Sequence, residues 1–318
     1  AGLASLSRLE SLFMGPCLDL PDISSISKLK NLKILYLRDM KSLAGLTLSN
    51  ASHLERLDLS GCEKIKTLSS QNGFPNLCAL NLNNCKAIDD ISFVSEATQL
   101  KSLSLQQCSS LSNIKPLAKL KDLEYLKLDN VPLLRDVSAL GDLIQLRELY
   151  MNGCAMLSDI APIGVLENLT ILEAQKCAIS QLPAKLTDLS NLQVLKLGWN
   201  VELTDLSQLQ HLSFLEKLGL NSCPEITNLT PLAKLPRLAK LNIGGCTKVT
   251  DIAPLESLPS LRHLYVNGCE NIVDYSPIHR MKALRMLFVG NSLSAEELIR
   301  IRIARPDLHV DTQGPVHF

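Results

Sequence analysis

The sequence of 318 residues lacks net charge, because 32 lysines and arginines balance 32 aspartates and glutamates. This balance argues against a nucleic-acid-binding protein, which usually carries a strongly basic domain. No apolar run approaches the ~18 residues of a membrane-spanning helix, so we expect no membrane insertion. Aromatic residues are also scarce, at 4% with a single tryptophan, so the core must be built from other side chains.

The sequence also lacks the common motifs of catalysis and cofactor binding. It contains no H-E-x-x-H, no G-x-S-x-G, no phosphate-binding loop and no G-x-G-x-x-G. Ten cysteines are present, but none forms a C-x-x-C pair or another close spacing typical of zinc ligands. We therefore expect no enzyme activity, no metal and no cofactor.

Leucine is the residue in excess, with 66 copies among 318 residues. The pattern L-x-x-L-x-L-x-x-C recurs along the chain, and successive copies begin 23 residues apart, with one interval of 22. We number these repeats 1 to 13 by their first leucine, at positions 9, 32, 54, 77, 100, 123, 146, 169, 192, 215, 238, 261 and 284. A fixed period of this length is the signature of a solenoid, in which one small unit is copied many times.

Each repeat predicts a short strand followed by a tight return. The second and third leucines alternate with polar residues, which indicates a strand with one buried face. In most repeats, an Asp or Asn stands five residues after the cysteine position and can cap a turn by accepting backbone N–H groups. These capping residues are Asp22, Asp90, Asn113, Asp136, Asp159, Asp205, Asn228, Asp251 and Asp274. Recurring prolines such as Pro162 disfavour a long helix, so the return should be irregular or 3₁₀.

These repeats resemble the leucine-rich-repeat family, and the resemblance covers the chain from Leu9 to about Ser292. The returns D-I-A-P at 159–162 and 251–254 resemble the short repeats of bacterial internalin-like proteins. The cysteine position resembles cysteine-containing repeats, and a similar hybrid occurs in kinetoplastid leucine-rich proteins labelled adenylate-cyclase regulators. The resemblance implies an α/β repeat solenoid, an arc with a parallel concave sheet and a short 3₁₀ or irregular convex side.

We predict a repeat array over residues 1–293 and a C-terminal cap with a tail over residues 294–318. Residues 294–297 form a capping-box pattern that opens a helix through about Arg305, which Pro306 ends. Residues 308–311 then predict an edge strand that covers the last repeat.

Two places depart from the regular pattern. Repeat 8 has Leu182 and Pro183 where other repeats have the Asp-Ile pair, which predicts a different return there. At the other end of the chain, Leu3 is already in phase with the repeats, without a polar cap before it. We therefore expect further chain upstream, or a partner against the first repeat.

Nine of the ten cysteines share one position of the repeat: Cys17, Cys62, Cys85, Cys108, Cys154, Cys177, Cys223, Cys246 and Cys269. We call this the ladder position; Val131 and Asn200 occupy it in repeats 6 and 9. There the side chain points inward, and its S–H group can donate to the backbone. Free buried thiols favour a reducing compartment, so we expect an intracellular location, cytoplasmic or nuclear.

The third and fifth residues of each repeat are predicted to point outward on the concave face. Six of the twelve aromatic residues lie in these two columns, although the fold does not need them there. We predict that a protein or peptide partner contacts Tyr125, Lys127, Glu148, Tyr150, Ile171, Glu173, Lys196, Trp199, Lys217, Lys240, His263, Tyr265 and Phe288. A competing interpretation is that neighbouring aromatics only stack across adjacent strands and stabilise the sheet.

The charged residues of these columns differ in how they can pair. Glu173 occupies the same position as Lys196 one strand earlier, which predicts an ion pair. Lys217 and Lys240 are consecutive residues of the third column, and His263 follows them. Adjacent like charges destabilise a sheet mildly, so this column indicates a partner with an acidic segment. Alternatively, the two lysines are only solvated and aid solubility.

Taken together, these patterns predict a non-catalytic protein–protein interaction module. We expect it to be the recognition part of a larger intracellular protein or complex. The alternative is a ligand-sensing ectodomain of an extracellular receptor, which would normally carry disulfide-bonded caps. A count of free thiols distinguishes the two.

Overall fold

The computed structural model describes residues 6–16 and 23–313. The chain divides into two compact units, Ala1–Leu157 and Ser158–Phe318, which we call the N-terminal and C-terminal units. Leu3, Cys17, Asp22 and the tail after residue 313 lie outside the described residues, so the expectations for them stay predictions.

The second leucine of each described repeat lies in the middle of a short strand, as predicted. The strands of the N-terminal unit are β1 (Ser11–Met14), β2 (Ile34–Leu37), β3 (Gly45–Leu48), β4 (Arg56–Asp58), β5 (Thr67–Ser70), β6 (Ala79–Asn81), β7 (Ser102–Ser104), β8 (Tyr125–Lys127) and β9 (Glu148–Tyr150). Those of the C-terminal unit are β10 (Ile171–Glu173), β11 (Val194–Lys196), β12 (Lys217–Gly219), β13 (Lys240–Asn242), β14 (His263–Tyr265), β15 (Met286–Phe288) and β16 (His309–Asp311).

All pairing between these strands is parallel. The order in the N-terminal unit is β1-β2-β4-β6-β7-β8-β9, and in the C-terminal unit it runs from β10 to β16 in sequence. Central leucines face each other in register, as Leu126 opposes Leu149 and Leu195 opposes Leu218, and all four are fully buried. The leucine repeat thus fills one continuous layer beneath the strands of each unit, and the predicted repeat solenoid is confirmed.

Most returns are single 3₁₀ turns, as the recurring proline predicts. They span Ser24–Lys28, Ser92–Glu96, Lys115–Lys119 and Ser138–Asp142 in the N-terminal unit, and Ala161–Val165, Ala184–Asp188, Ser207–His211, Thr230–Lys234 and Ala253–Ser257 in the C-terminal unit. Repeat 12 has a short α-helix instead, α1 (Pro277–Arg280). The predicted caps form: Oδ1 of Asp90 accepts from the backbone N–H of Ser92 at 2.8 Å, and Asp274 accepts from Ser276 at 2.8 Å.

Repeats 2 and 3 return differently from this prediction, through β3 and β5, which form a separate two-stranded parallel sheet. Leu46, Leu48 and Leu68 of these strands are buried, while Thr47 and Ser69 face outward and share a hydrogen bond of 3.1 Å. The alternation Leu46-Thr47-Leu48 is a strand pattern, and these repeats lack the D-I-x-P return. The expectation of a 3₁₀ or irregular return is therefore wrong for these two repeats.

Repeat 8 has the different return that its sequence predicts. Its 3₁₀ turn begins after Pro183, whose backbone is extended (φ −64°, ψ 140°), whereas Ile160 of repeat 7 has φ −115° and ψ 18° at the same place. The ladder residue Asn200 of repeat 9 is fully buried beside it. Nδ2 of Asn200 donates to the carbonyls of Ala174 (2.9 Å) and Leu197 (2.7 Å), and its Oδ1 accepts from the N–H of Ile179 (3.1 Å).

The ladder cysteines point inward and donate to carbonyls of the preceding repeat. The Sγ atom of Cys62 lies 3.0 Å from the oxygen of Leu37, and that of Cys269 lies 3.0 Å from Ile243. Burial raises the pKa of Cys62 to about 11 and that of Cys108 to about 12, so these thiols stay protonated and weakly reactive. The predicted structural role of the ladder cysteines is thus observed among the described residues.

The chain ends in the predicted helix and strand. Helix α2 (Ala295–Ala304) begins at Ser294, whose side chain accepts from the N–H of Glu297 at 3.1 Å. The buried guanidinium of Arg305 donates to the carbonyl oxygens of Ile278 (3.0 Å), Met281 (2.9 Å) and Leu284 (2.9 Å). Arg305 also pairs with Asp307, and this lowers the pKa of Asp307 to about 2. The guanidinium therefore attaches the end of α2 to the last repeats, a role that the sequence did not reveal.

Candidate functional site

The predicted contact residues lie in two different units. Tyr125, Lys127, Glu148 and Tyr150 belong to the N-terminal unit, on β8 and β9. The remaining ones, Ile171, Glu173, Lys196, Trp199, Lys217, Lys240, His263, Tyr265 and Phe288, belong to the C-terminal unit. We call the surface formed by the third and fifth residues of the repeats the strand face of each unit.

The two tyrosines of the N-terminal unit are brought together as predicted. The rings of Tyr125 and Tyr150 are 5.6 Å apart and tilted by 46°. The hydroxyl of Tyr150 donates to Oε2 of Glu148 at 2.8 Å, and Nζ of Lys127 lies 5.9 Å from the Tyr150 ring centroid. Burial, helped by Glu148, raises the pKa of Tyr125, so this phenol remains a neutral hydrogen-bonding group.

Lys127 forms an ion pair with a buried carboxylate. Its Nζ lies 3.5 Å from Oδ2 of Asp129, which is 6% exposed. Burial raises the pKa of Asp129, although the backbone N–H of Asn152 donates to it and Lys127 lies close. The charge of Lys127 thus has a structural partner, and the sequence analysis did not include Asp129.

A second feature of the N-terminal strand face is a polar hollow of about 300 Å³. Its floor consists of small residues, Ala79, Ser102 and Ser104, which leave room between Tyr36 and Tyr125. Arg56 lies at its rim, is exposed, and has no ion pair among the described residues. Arg56 was not among the contact residues predicted from the sequence, although the run of small residues in neighbouring repeats was a visible signal.

In the C-terminal unit, Glu173 and Lys196 form the predicted ion pair. Their strands pair in register, and Nζ of Lys196 lies 3.1 Å from Oε1 of Glu173. The side chains are 17% and 19% exposed. These two charges therefore largely neutralise each other on the strand face.

Lys217 and Lys240 are directly opposed on β12 and β13, and Lys240 is opposed to His263 on β14. Neither lysine has an ion pair within residues 23–313. Burial, together with Lys240 and Arg262, lowers the pKa of His263, so this ring is neutral at neutral pH. Its Nδ1 is buried and lacks a hydrogen-bond partner among the described atoms. The positive charge of this column thus comes from the two lysines alone.

These lysines border a hollow of about 210 Å³ on the strand face. It is lined by Ile171, Glu173, Val194, Lys196, Lys217, Lys240 and Tyr265. Gly219 lies between Lys196 and Asn242 in the fifth-residue row and has no side chain to fill the space. The hollow therefore combines an apolar wall, Ile171 and Val194, with two unpaired ammonium groups.

Trp199 lies outside this hollow, in the turn after β11. Its side chain is 50% exposed, and Nζ of Lys176 lies 5.7 Å from the ring centroid. Its backbone has φ +65°, in the left-handed region. Trp199 is therefore accessible on the surface, and its contact with a partner stays a prediction.

The prediction that Tyr265 and Phe288 point into solvent is wrong. Their rings stack in parallel, 4.1 Å apart with an interplanar angle of 1°, and the residues are only 6% and 4% exposed. The edge strand β16 also pairs with β15, which places Asp311 beside Phe288. For this pair the structure favours the competing interpretation, cross-strand stacking that stabilises the sheet.

Over the described ranges, no group of three or more His, Cys, Asp or Glu side chains is arranged to hold a metal ion. Within the same ranges, every helix is too short or too polar to cross a membrane.

Neither a protein-family model nor a curated protein sequence matches the chain. Among solved structures, an internalin (InlF) of Listeria monocytogenes is similar, with 25% identity and a TM-score of 0.78 over 99% of this chain and 89% of that one. A leucine-rich-repeat protein of Leptospira interrogans is 23% identical, with a TM-score of 0.70 over 97% and 91%. The functional domain of InlJ from Listeria monocytogenes, which includes a cysteine ladder, is 17% identical, with a TM-score of 0.59 over 91% and 66%.

The repeat spacing, the parallel strands and the inward ladder residues agree with these likenesses. A fold of this kind supports a protein-interaction module in general. The kinetoplastid resemblance remains a prediction. The chain thus folds as an α/β solenoid of the leucine-rich-repeat type, similar in structure to InlF.

Proposed function

We propose that this chain is a recognition module that binds a protein or peptide on the strand face of its C-terminal unit, and that acidic side chains of the partner contact Lys217 and Lys240. The observation that carries this proposal is the register of the two lysines. They are directly opposed on neighbouring strands, about 4.8 Å apart by strand spacing, and neither forms an ion pair with a carboxylate of the described residues. Like charges on adjacent strands destabilise the sheet. A role in binding a partner therefore explains the two lysines best.

The surroundings of the lysines support one partner chemistry. Glu173 is already occupied by Lys196, so the hollow presents net positive charge. Ile171 and Val194 supply an apolar wall beside it. A peptide segment with a carboxylate next to an aliphatic side chain would satisfy both surfaces, because desolvated charge pairs flanked by apolar contacts are typical of interface anchors.

The N-terminal unit contributes a second contact surface under this proposal. Tyr125 and Tyr150 offer aromatic faces with polar hydroxyl groups, a composition common in protein interfaces. Arg56 gives the neighbouring hollow an unpaired cation. We propose that this surface binds the partner without catalysis, as one part of a larger protein or assembly.

The experiment selects peptides from a random display library on the wild-type chain and on a double charge reversal, Lys217→Glu with Lys240→Glu. We expect the wild type to enrich Asp and Glu, and the double variant to lose that preference. For enriched peptides the reversal should slow association, and the difference should shrink as salt screens the charges. Equal enrichment of acidic residues on both proteins would refute the proposal.

A matched control reverses two exposed lysines of the same unit that lie outside the strand face, Lys185→Glu with Lys282→Glu. This variant has the same net charge as the test variant. A difference in binding between the two therefore depends on where the charges lie and not on the net charge. We expect its peptide preference to follow the wild type. A loss of acidic preference in the control would mean that long-range charge alone directs binding.

We also propose an intracellular, cytoplasmic or nuclear location. Among the described residues, Cys78 is an exposed free cysteine, and six further free cysteines are buried: Cys62, Cys85, Cys108, Cys223, Cys246 and Cys269. Free thiols are typical of reducing compartments, whereas the receptor-ectodomain alternative favours disulfides. Counting thiols in denatured protein from its natural source tests this: free thiols throughout support the proposal, and paired ones favour the receptor.

A further inference from the structure

Repeats 2 to 12 each turn sharply after the strand, through a residue just before the ladder position with left-handed backbone. Glycine or asparagine often occupies this place, as at Asn84 (φ +59°), Asn130 (φ +55°) and Gly245 (φ +77°). Trp199 occupies it in repeat 9 with φ +65°. A bulky side chain is disfavoured there, because its Cβ crowds the backbone, so this residue carries local strain.

The neighbouring backbone holds Trp199 in this conformation. Its N–H donates to the carbonyl of Asn221 at 2.7 Å. The next residue, Asn200, is fully buried, and its side chain makes three hydrogen bonds to the backbone of repeats 8 and 9. The backbone of the turn is thus fixed on both sides of Trp199, and this sets the direction in which its side chain leaves the turn. A rigid aromatic side chain loses little entropy on binding.

The ring stays accessible to a partner. Half of its surface is exposed, and its described contact is with Lys176, an exposed lysine without an ion pair among the described residues. Val201, on the other side of Asn200, is 54% exposed, and Ala178 holds the corresponding place in repeat 8. An exposed apolar patch around a fixed tryptophan is the composition of an interface hot spot.

We propose that Trp199, with Val201 and Ala178, binds an apolar side chain of the same partner segment whose carboxylates contact Lys217 and Lys240. This inference rests on the proposed function and adds the spacing between the acidic and the apolar residues of the partner segment. From the third residue of a repeat to its turn the chain advances five residues, which is at most about 17 Å at strand rise because the last residues turn. An extended partner segment should therefore carry its apolar residue no more than about five positions from its acidic pair.

The test uses synthetic peptides with two adjacent glutamates, a Gly/Ser spacer and one leucine, made in both orders. A spacer of about four residues spans the distance, and a spacer of one residue does not. Because the chain has a single tryptophan, its fluorescence reports on this place alone. We expect the long-spacer peptide to shift the emission of Trp199 to the blue and to bind about tenfold more tightly than the same peptide with Ser for Leu.

The test variant is Trp199→Asn, which copies the residue found at Asn84 and Asn130. Because asparagine adopts this backbone more readily than tryptophan, we expect the melting temperature to stay the same or rise. Anisotropy of a labelled peptide should show that the variant loses the leucine-dependent tenfold gain and retains the glutamate-dependent part. Ser222→Asn, in the same column one repeat later, is the matched control and should change neither quantity.

The outcomes separate this inference from the proposed function. If the peptides bind through Lys217 and Lys240 but leucine adds nothing at either spacing, the role of Trp199 is refuted and the proposed function stands. If leucine-dependent binding survives the double lysine reversal at full strength, the acidic preference is refuted instead. A lower melting temperature for Trp199→Asn would mean that the ring supports the fold, which also overturns the inference; absence of binding to any peptide overturns both.

Discussion

The two units have the same interior and different exteriors. On the turn side of the N-terminal unit, Glu63 binds both Lys41 (2.7 Å) and Lys86 (3.2 Å), so three neighbouring repeats are linked by ion pairs. On the same side of the C-terminal unit, Ala178 and Val201 hold the equivalent places in repeats 8 and 9. At the ladder position and at the central leucines, in contrast, the two units carry the same kinds of residue.

The strand faces differ in the same way. In the N-terminal unit, Arg38 pairs with Asp58 at 2.8 Å and Lys127 with Asp129 at 3.5 Å, and Arg56 is the exception. In the C-terminal unit, Lys217 and Lys240 form no ion pair with any residue that the structure describes. Since the repeat already supplies the same core to both units, exterior residues that oppose folding are the ones most informative about binding.

The largest expected effect tests whether the two interiors are equivalent. Leu126→Ala in the N-terminal unit and Leu218→Ala in the C-terminal unit each remove a fully buried side chain from the centre of a strand. Each should lower the free energy of unfolding by about 2–5 kcal/mol, through lost burial and the cavity that remains. Urea unfolding of both variants measures this, and a large loss in one unit with none in the other would contradict the equivalence.

A smaller effect compares a paired lysine with an unpaired one. Lys127→Ala leaves the buried carboxylate of Asp129 without its cation, which should cost about 1 kcal/mol and raise the pKa of Asp129 further. Lys217→Ala removes no partner and should change stability by about 0.5 kcal/mol or less. Urea unfolding provides the comparison, and NMR titration of Asp129 provides an independent check. Equal losses would mean that Lys217 has a structural role after all.

The sequence predicted the elements that depend on local pattern. The leucine alternation, the capping aspartates and the capping box at Ser294 each act within a few residues, so the strands, the 3₁₀ returns and α2 followed from them. The Lys217–Lys240 register was also predictable, because a 23-residue period places equal positions on neighbouring strands.

Other features depend on contacts that the pattern does not encode. Tyr265 and Phe288 occupy outward positions, yet their stacking buries both rings. Asp129 becomes buried only through the packing of its turn, and Arg305 finds its three carbonyls only when α2 docks on the last repeats. The backbone strain at Trp199 could not be predicted either, because its φ angle does not follow from the identity of the residue.

The smallest expected effect concerns pH and the charge column itself. The pKa of His263 is lower in the folded chain than its ordinary 6.5, because the ring is partly buried and faces Lys240 and Arg262. As pH falls below about 6.5, the unfolded chain therefore takes up this proton before the folded chain does, and the free energy of unfolding decreases. Thermal melts between about pH 7.5 and 5.5 should thus show a steeper loss for the wild type than for His263→Gln, which cannot take up the proton.

Lys240→Gln sharpens the test, because it removes one of the charges that oppose protonation of His263. This variant should fall between the wild type and His263→Gln in its loss of melting temperature. Met286, opposite His263 on β15, carries no charge, so the next strand adds no competing electrostatic effect at that position. If all three proteins lose stability equally on acidification, His263 is not coupled to the lysine column. The positive charge of the column would then come from Lys217 and Lys240 alone. Protonation of His263 should in that case not change partner binding between about pH 7.5 and 5.5.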